Sequence, residues 1–284
     1  RVTNYAGEGG LIGKPENMTM TVKGKDPVTL AGNWKYLSGF SLAGIEPLPP
    51  SPKTNPQYPT TLFNAMVHPI TKIPIRGVIW YQGEANVGRA DEYADLFMSL
   101  ISDWRDDMPF YFVQLANFLK KEEIQPDSEW AALREAQSKA LYLNNTGMAV
   151  TTDLGEANNI HPKNKQEVGL RLSQLALKQT YKKKRMPQSP LFKSYRIEGN
   201  TIRIGFDNPG KGFMKPDTIK GFIIAGADHI FYPATVTIQK KEIIVESPDV
   251  PHPVAVRYNW ADNPDGNLYG LSGLPTAPFR TDNW

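Results

Sequence analysis

Ile75-Arg76-Gly77-Val78-Ile79-Trp80-Tyr81-Gln82-Gly83-Glu84-Ala85-Asn86 passes abruptly from an apolar run to a polar tip. Ile75, Val78, Ile79, Trp80 and Tyr81 have the character of a buried strand, and Gln82-Gly83-Glu84 sits where such a strand delivers polar side chains at its carboxyl end. Open α/β sheets keep their chemistry at that end. Downstream, Tyr93, Phe97, Leu100, Ile101 and Trp104 recur at helical spacing, so Gln82, Glu84 and Asn86 lie in a strand-to-helix loop.

The same alternation continues outward. Phe110-Tyr111-Phe112-Val113-Gln114-Leu115 is a second apolar run, and Pro126-Asp127-Ser128 caps a helix marked by Trp130, Leu133, Gln137, Ala140 and Leu141. A third run, Gly147 to Thr152, leads through Asp153-Leu154-Gly155-Glu156 to His161-Pro162, where Pro at a first helical position predicts a helix carrying Val168, Leu172, Leu175 and Ala176. Strands without polar alternation, separated by helices, define a parallel α/β sheet. Only three such strands are visible, whereas an open sheet has about five or six, so the missing strands are expected to precede residue 1.

Composition shifts divide the chain. Residues 1–45, rich in Gly and Thr with short alternating pieces such as Met18 to Val22, look like the tail of a β domain. The Pro-rich stretch 46–60 reads as a stiff linker, and a short helix over Leu62, Phe63, Met66 and Val67 is stopped at His68-Pro69. The α/β core occupies 61–186. From 187 to 284 the signals are those of an antiparallel sandwich, with strands at Thr201–Ile204, Gly221–Ile224, Thr235–Ile238, Glu242–Val245 and Ala255–Tyr258.

Hydrophobic content of 40% with 21% charged residues is that of a globular chain, and a formal net charge of +3 gives no case for a nucleic-acid partner. The basic run Lys182 to Arg185 closes a helix, where cations suit the dipole. The absence of cysteine removes disulfides, thiolate metal sites and a cysteine nucleophile. No stretch approaches the roughly 18 apolar residues of a membrane span.

Of the four histidines, His161 has the setting of a general base: a polar loop after the third strand that also holds Asp153, Glu156, Asn158 and Asn159. His68, His229 and His252 lie at turn signals and read as structural. No metal-ligand spacing occurs, and no cofactor is implied. The amide-rich Gln82/Asn86 loop suits oxyanion stabilisation. A nucleophile is missing: there is no Gly-x-Ser-x-Gly elbow, and Ser41 in Gly39-Phe40-Ser41-Leu42-Ala43-Gly44 has the wrong spacing and no apolar strand before it.

The ordered blocks Gly77 to Asn86, Asp103-Trp104-Arg105, Val113-Gln114-Leu115, Leu133-Arg134-Glu135-Ala136-Gln137, Thr152 to Glu156 and Ile160-His161-Pro162-Lys163-Asn164-Lys165 together resemble the sialate O-acetylesterases of the SGNH-hydrolase superfamily. The resemblance extends over nearly the whole chain. It implies a flavodoxin-like parallel sheet flanked by helices, partial in this chain, with a C-terminal antiparallel β domain. It also implies a nucleophilic serine in a Gly-Gln-Ser-Asn block upstream, so the partners expected are that upstream segment and an acetylated glycan, in a periplasmic or secreted setting. By the same resemblance His161 takes and returns the proton, Gln82 and Asn86 hold the oxyanion, and Gly83, Glu84 and Asn158 line the substrate. Many such enzymes place Asp three residues before the histidine; here Asn158 stands there, leaving Asp153 or Glu156 to orient His161, or a Ser-His dyad. Arg134 and Gln137 are expected to anchor the sheet. Two other readings remain open: a non-catalytic carbohydrate-binding protein stacking sugars on Trp80, Trp130 and Trp260, and a glycosidase using Glu84 with Glu156.

Overall fold

A computed structural model describes residues 14–33, 60–104 and 108–284. The rest of the expected β tail and linker, Ser41 and Arg105 lie outside these residues. The chain falls into two compact units, Arg1–Pro59 and Thr60–Trp284. In the first, β1 (Thr19–Met20) and β2 (Val28–Thr29) pair antiparallel, Thr19 opposite Thr29.

The second unit carries the α/β core. Strands β3 (Val78–Trp80), β4 (Phe110–Val113) and β5 (Thr146–Ala149) form a three-stranded sheet in that order, parallel throughout. Helices α1 (Ala90–Trp104) and α2 (Glu129–Lys139) connect them. Both cover one face, packing Tyr93, Phe97, Ile101, Trp130 and Leu133 on Phe110, Phe112 and Met148. Helix α3 (Lys165–Gln179) follows β5 and covers the opposite face, setting Val168, Leu172 and Leu175 on Tyr111, Val113 and Ala149. Because all three strands run the same way, their carboxyl ends meet at one edge of the sheet.

Three local expectations change. Ile75 and Ile79 are 51% and 70% exposed, not buried. Ile79 lies opposite Tyr111 on the α3 face, but α3 spans β4 and β5 and leaves the outermost strand uncovered. The chain does not leave helical geometry at His68-Pro69: a π-helical turn over Phe63–Val67 passes directly into a 3-10 turn, His68–Ile70, whose first turn accepts proline. Helix α3 begins at Lys165 rather than at Pro162, because Asn164 caps it by accepting a hydrogen bond from Glu167 N–H at 3.2 Å. Ser128 caps α2 as the sequence suggests, accepting from Ala131 N–H at 3.0 Å.

Beyond α3 come β6 (Leu191–Glu198), β7 (Thr201–Asp207), β8 (Phe222–Ala225), β9 (Phe231–Pro233), β10 (Thr235–Gln239), β11 (Glu242–Glu246), β12 (Ala255–Tyr258) and β13 (Phe279–Arg280). They form two antiparallel four-stranded sheets, ordered β10-β11-β7-β6 and β13-β12-β8-β9. Ile202, Ile204, Ile243 and Val245 from one sheet meet Phe222, Ile224, Val256 and Tyr258 from the other in a shared core. The sequence shows the inner strands but not β6, β9 and β13, all of which lie at sheet edges. Pro233 sits in β9, where an edge tolerates a missing N–H, and a register shift between Phe192 and Ser194 interrupts the alternation of β6.

One buried cation joins these layers. Arg134, on α2, has no solvent exposure and donates to four backbone carbonyls: Leu115 and Ala116 after β4, at 2.8 Å each, and Ala261 and Asp262 after β12, at 2.7 and 2.8 Å. Burial pushes the guanidinium down to about 9, opposed by the Asp262 charge, so it remains protonated at neutral pH. Truncating it strands Leu115 O and Ala261 O away from water, each worth about 1–3 kcal/mol if left unpaired, whereas Ala116 O keeps Trp130 Nε1 at 2.8 Å and Asp262 O keeps Phe118 N–H at 3.2 Å. Arg134→Met is therefore expected to lower unfolding free energy by about 3 kcal/mol or more, measured by urea titration; a loss below about 1 kcal/mol would contradict this role.

Candidate active site

The tip after β3 is held from beneath by α1 and α2. Tyr93 Oη donates to Gln82 O at 3.3 Å, and Gln137 Nε2 donates to the same carbonyl and to Val113 O, both at 3.3 Å. Gln137 Oε1 accepts from Leu115 N–H at 2.9 Å, so one side chain ties the ends of β3 and β4 together. Gly83 makes the turn at φ 154°, and a Cβ there would come within 3.1 Å of Gln137 Nε2 and 3.4 Å of Tyr93 Oη. A 3-10 turn, Glu84–Asn86, follows. With its backbone fixed, the Gln82 side chain bonds to no described residue, and Glu84 forms no ion pair among them. Asn86 Oδ1 accepts a 3.5 Å contact from Arg89. Arg134 and Gln137 are thus anchors, as their positions suggested.

The loop between β5 and α3 is fixed by ion pairs and one close backbone approach. Arg171, on α3, grips Asp153 with both terminal nitrogens, at 2.6 and 2.8 Å, and donates to Val150 O at 2.6 Å and to Glu167 at 3.0 Å. Tyr269 Oη adds a 3.3 Å bond to Asp153; burial, then the Asp153 charge, pushes this phenol up to about 12, so it stays a donor. Glu156 accepts from Lys163 N–H at 2.9 Å and pairs with Lys163 Nζ at 3.7 Å. That backbone bond, then the Lys163 charge, holds the Glu156 carboxyl below the usual carboxylate range. Asn159 Oδ1 accepts from His161 N–H at 3.0 Å. The His161 residue is exposed and its imidazole bonds to no described residue; Asn158 is exposed as well.

The carboxylates of Asp153 and Glu156 are therefore spent on Arg171 and Lys163, and neither bonds the His161 ring. Gln82 and the His161 loop both emerge at the carboxyl edge of the sheet, from β3 and β5. Lys165 connects the two: its ammonium lies 4.4 Å from the centroid of the Tyr81 ring and 3.4 Å from Tyr81 Oη, next to Gln82 in the chain. The tryptophans considered for sugar stacking do not offer free faces. Trp80 packs among Phe97, Trp104 and Phe110, and Trp130 and Trp260 are each 6% exposed, bonded to Ala116 O and Pro126 O. Among the described residues no group of acids and histidines could hold a metal ion.

Sequence reasoning missed Asn117. Its Oδ1 accepts from Gly155 N–H at 2.6 Å, and its Nδ2 donates to Asn263 Oδ1 at 2.7 Å. Gly155 approaches so closely that a Cβ there would lie 1.8 Å from Asn117 O. The nearest local signal was the glycine itself; its partner lies 38 residues away.

The structure is similar to that of a carbohydrate acetylesterase from Xanthomonas citri, with a TM-score of 0.75 and 44% identity over 80% of this chain and 55% of that one. Residues 52–178 match the family described as carbohydrate esterase, sialic acid-specific acetylesterase. Sialate O-acetylesterase of Homo sapiens is 30% identical over 90% of this chain and 55% of its own length; that of Mus musculus is 30% identical over 80% and 48%. The chain spans about half the length of these relatives.

The Gly155–Asn117 contact makes a specific demand. Gly155→Ala forces the β4 and β5 loops apart and is expected to cost about 1–3 kcal/mol, read by thermal denaturation, with amide shifts concentrated at Asn117 and in residues 153–161; an unchanged melting temperature would refute the close approach.

Proposed function

We propose that this chain is the base-bearing half of a carbohydrate O-acetylesterase that removes acetyl groups from sialic acid or related glycans. His161 carries the proposal: it stands on an anchored loop at the carboxyl edge of the sheet, inside the family-matched region, with its imidazole uncommitted to any described residue. The nucleophile is a serine on a segment of the same protein outside Arg1–Trp284, a reading supported by the half-length match to the relatives and by the side of β3 that pairs with no strand among the described residues.

In this scheme the serine oxygen attacks the acetyl carbonyl carbon while His161 takes its proton. Gln82, with Asn86, donates to the developing oxyanion. Collapse expels the sugar oxygen, which His161 reprotonates. Water, deprotonated by the same imidazole, then cleaves the acetyl-enzyme and releases acetate. Gly83, Glu84 and Asn158 border the substrate. With Asp153 and Glu156 committed to the loop's own cations, a Ser-His dyad fits better than a triad using either acid; Asn158 can orient the ring but not balance its charge. The setting proposed is periplasmic or secreted; among the described residues no helix is long and apolar enough to cross a membrane.

In the full-length protein, His161→Ala should lower kcat for acetate release from an acetylated sialoside by about 10²–10⁴-fold with an unchanged melting temperature. Retained turnover would overturn the assignment. This chain alone should release no acetate until the upstream segment is supplied, which separates a divided site from one complete in these residues.

A further inference from the structure

Every other cation fixed in the loop region has an acid. Lys163 pairs with Glu156, and Arg171 with Asp153 and Glu167. Lys165 has none within 4.0 Å among the described residues, and is held instead by the face and hydroxyl of Tyr81. Helix stability does not explain it: Lys165 is the first residue of α3, the end at which a cation gains nothing from the backbone dipoles. A rigid aromatic seat keeps the ammonium beside the Gln82 tip without neutralising it. The phenol beneath is kept protonated, first by burial and then by the Glu84 charge, so the seat itself is neutral. Glu84 marks the opposite polarity within the same tip and shows no ion pair with Lys165.

We infer that Lys165, seated on Tyr81, reads a carboxylate on the substrate and so determines the preference of the site for acetyl esters of anionic sugars over those of neutral ones. The inference rests on the esterase reading and adds to it the residue that selects sugar acids, whose carboxylate is ionised at neutral pH, over neutral sugars. Lysine serves this purpose as a point charge, so recognition responds to charge more than to geometry. Being exposed to solvent, it is also weakened by salt.

The test uses the full-length enzyme with an O-acetylated sialoside and its carboxylate methyl ester. Wild type should favour the acid, and in Lys165→Met the ratio of kcat/KM for acid over ester should fall about 10-fold, with Lys165→Arg restoring much of it. The preference of the wild type should shrink as salt is raised. If kcat/KM falls equally on both substrates, or the ratio does not move, Lys165 is structural and the inference fails while the esterase reading stands. Binding of unacetylated sialic acid, followed by NMR titration, separates the other failure. Lys165-dependent, salt-sensitive binding without any hydrolysis would keep the carboxylate contact and remove the esterase reading together with the ester preference built on it; no such binding and no hydrolysis would remove both.

Discussion

The structure depends most on a guanidinium surrounded by carbonyls. Arg134 is the point at which the loop after β4, the helix α2 and the segment after β12 are held to one another, through four backbone acceptors and no direct carboxylate. A backbone oxygen cannot be substituted away, so this arrangement constrains chain path rather than side-chain identity at Leu115, Ala116, Ala261 and Asp262. Asp262 is then free to use its side chain elsewhere, accepting from Ser128 Oγ at 2.6 Å and Gln125 Nε2 at 2.7 Å. The Ser128 hydroxyl thus both caps α2 and bridges to the β region, so helix start and layer contact are set by the same atom.

Around that anchor the candidate site is built by division of labour. Buried Gln137, Tyr93 and Arg171 and half-buried Asn117 fix backbone, while Gln82, Glu84, His161 and Lys165 at the edge keep unspent hydrogen-bonding or charge capacity. Pre-organisation of this kind matters because a donor already aimed need not be reoriented when charge develops. It also accounts for the density of acids in the β5–α3 loop. Asp153 and Glu156 are the counter-charges that let Arg171 and Lys163 hold the loop in shape.

The parallel core was legible because strands covered on both faces leave unbroken apolar runs, as Phe110 to Val113 does. The reading failed at margins. Ile79 has the composition of a covered strand but sits beyond the reach of α3, and β6, β9 and β13 have neither the alternation of β7 and β11 nor the fully buried apolar run of β8. The start of α3 was misplaced because Pro162 and Asn164 are both good start signals, and only geometry shows that the Asn164 side chain makes the cap. At the site, His161 and the Gln82 tip could be read from local pattern. The Arg171–Asp153 grip and the Asn117–Gly155 approach could not, since they join residues 18 and 38 apart with no periodicity to reveal them.

The outer side of β3 has a colloidal consequence. Among the described residues β3 has no partner on that side; such an edge is a template for pairing with any extended chain, and Ile79 on the strand leaves its apolar side chain in water. Two copies presenting this margin can satisfy each other's backbone groups, and a third can add to either. The concentration at which the isolated chain is handled then becomes a structural variable: dilution favours single molecules, crowding favours edge-to-edge growth, and whatever covers β3 acts as a solubility factor as well as a structural one.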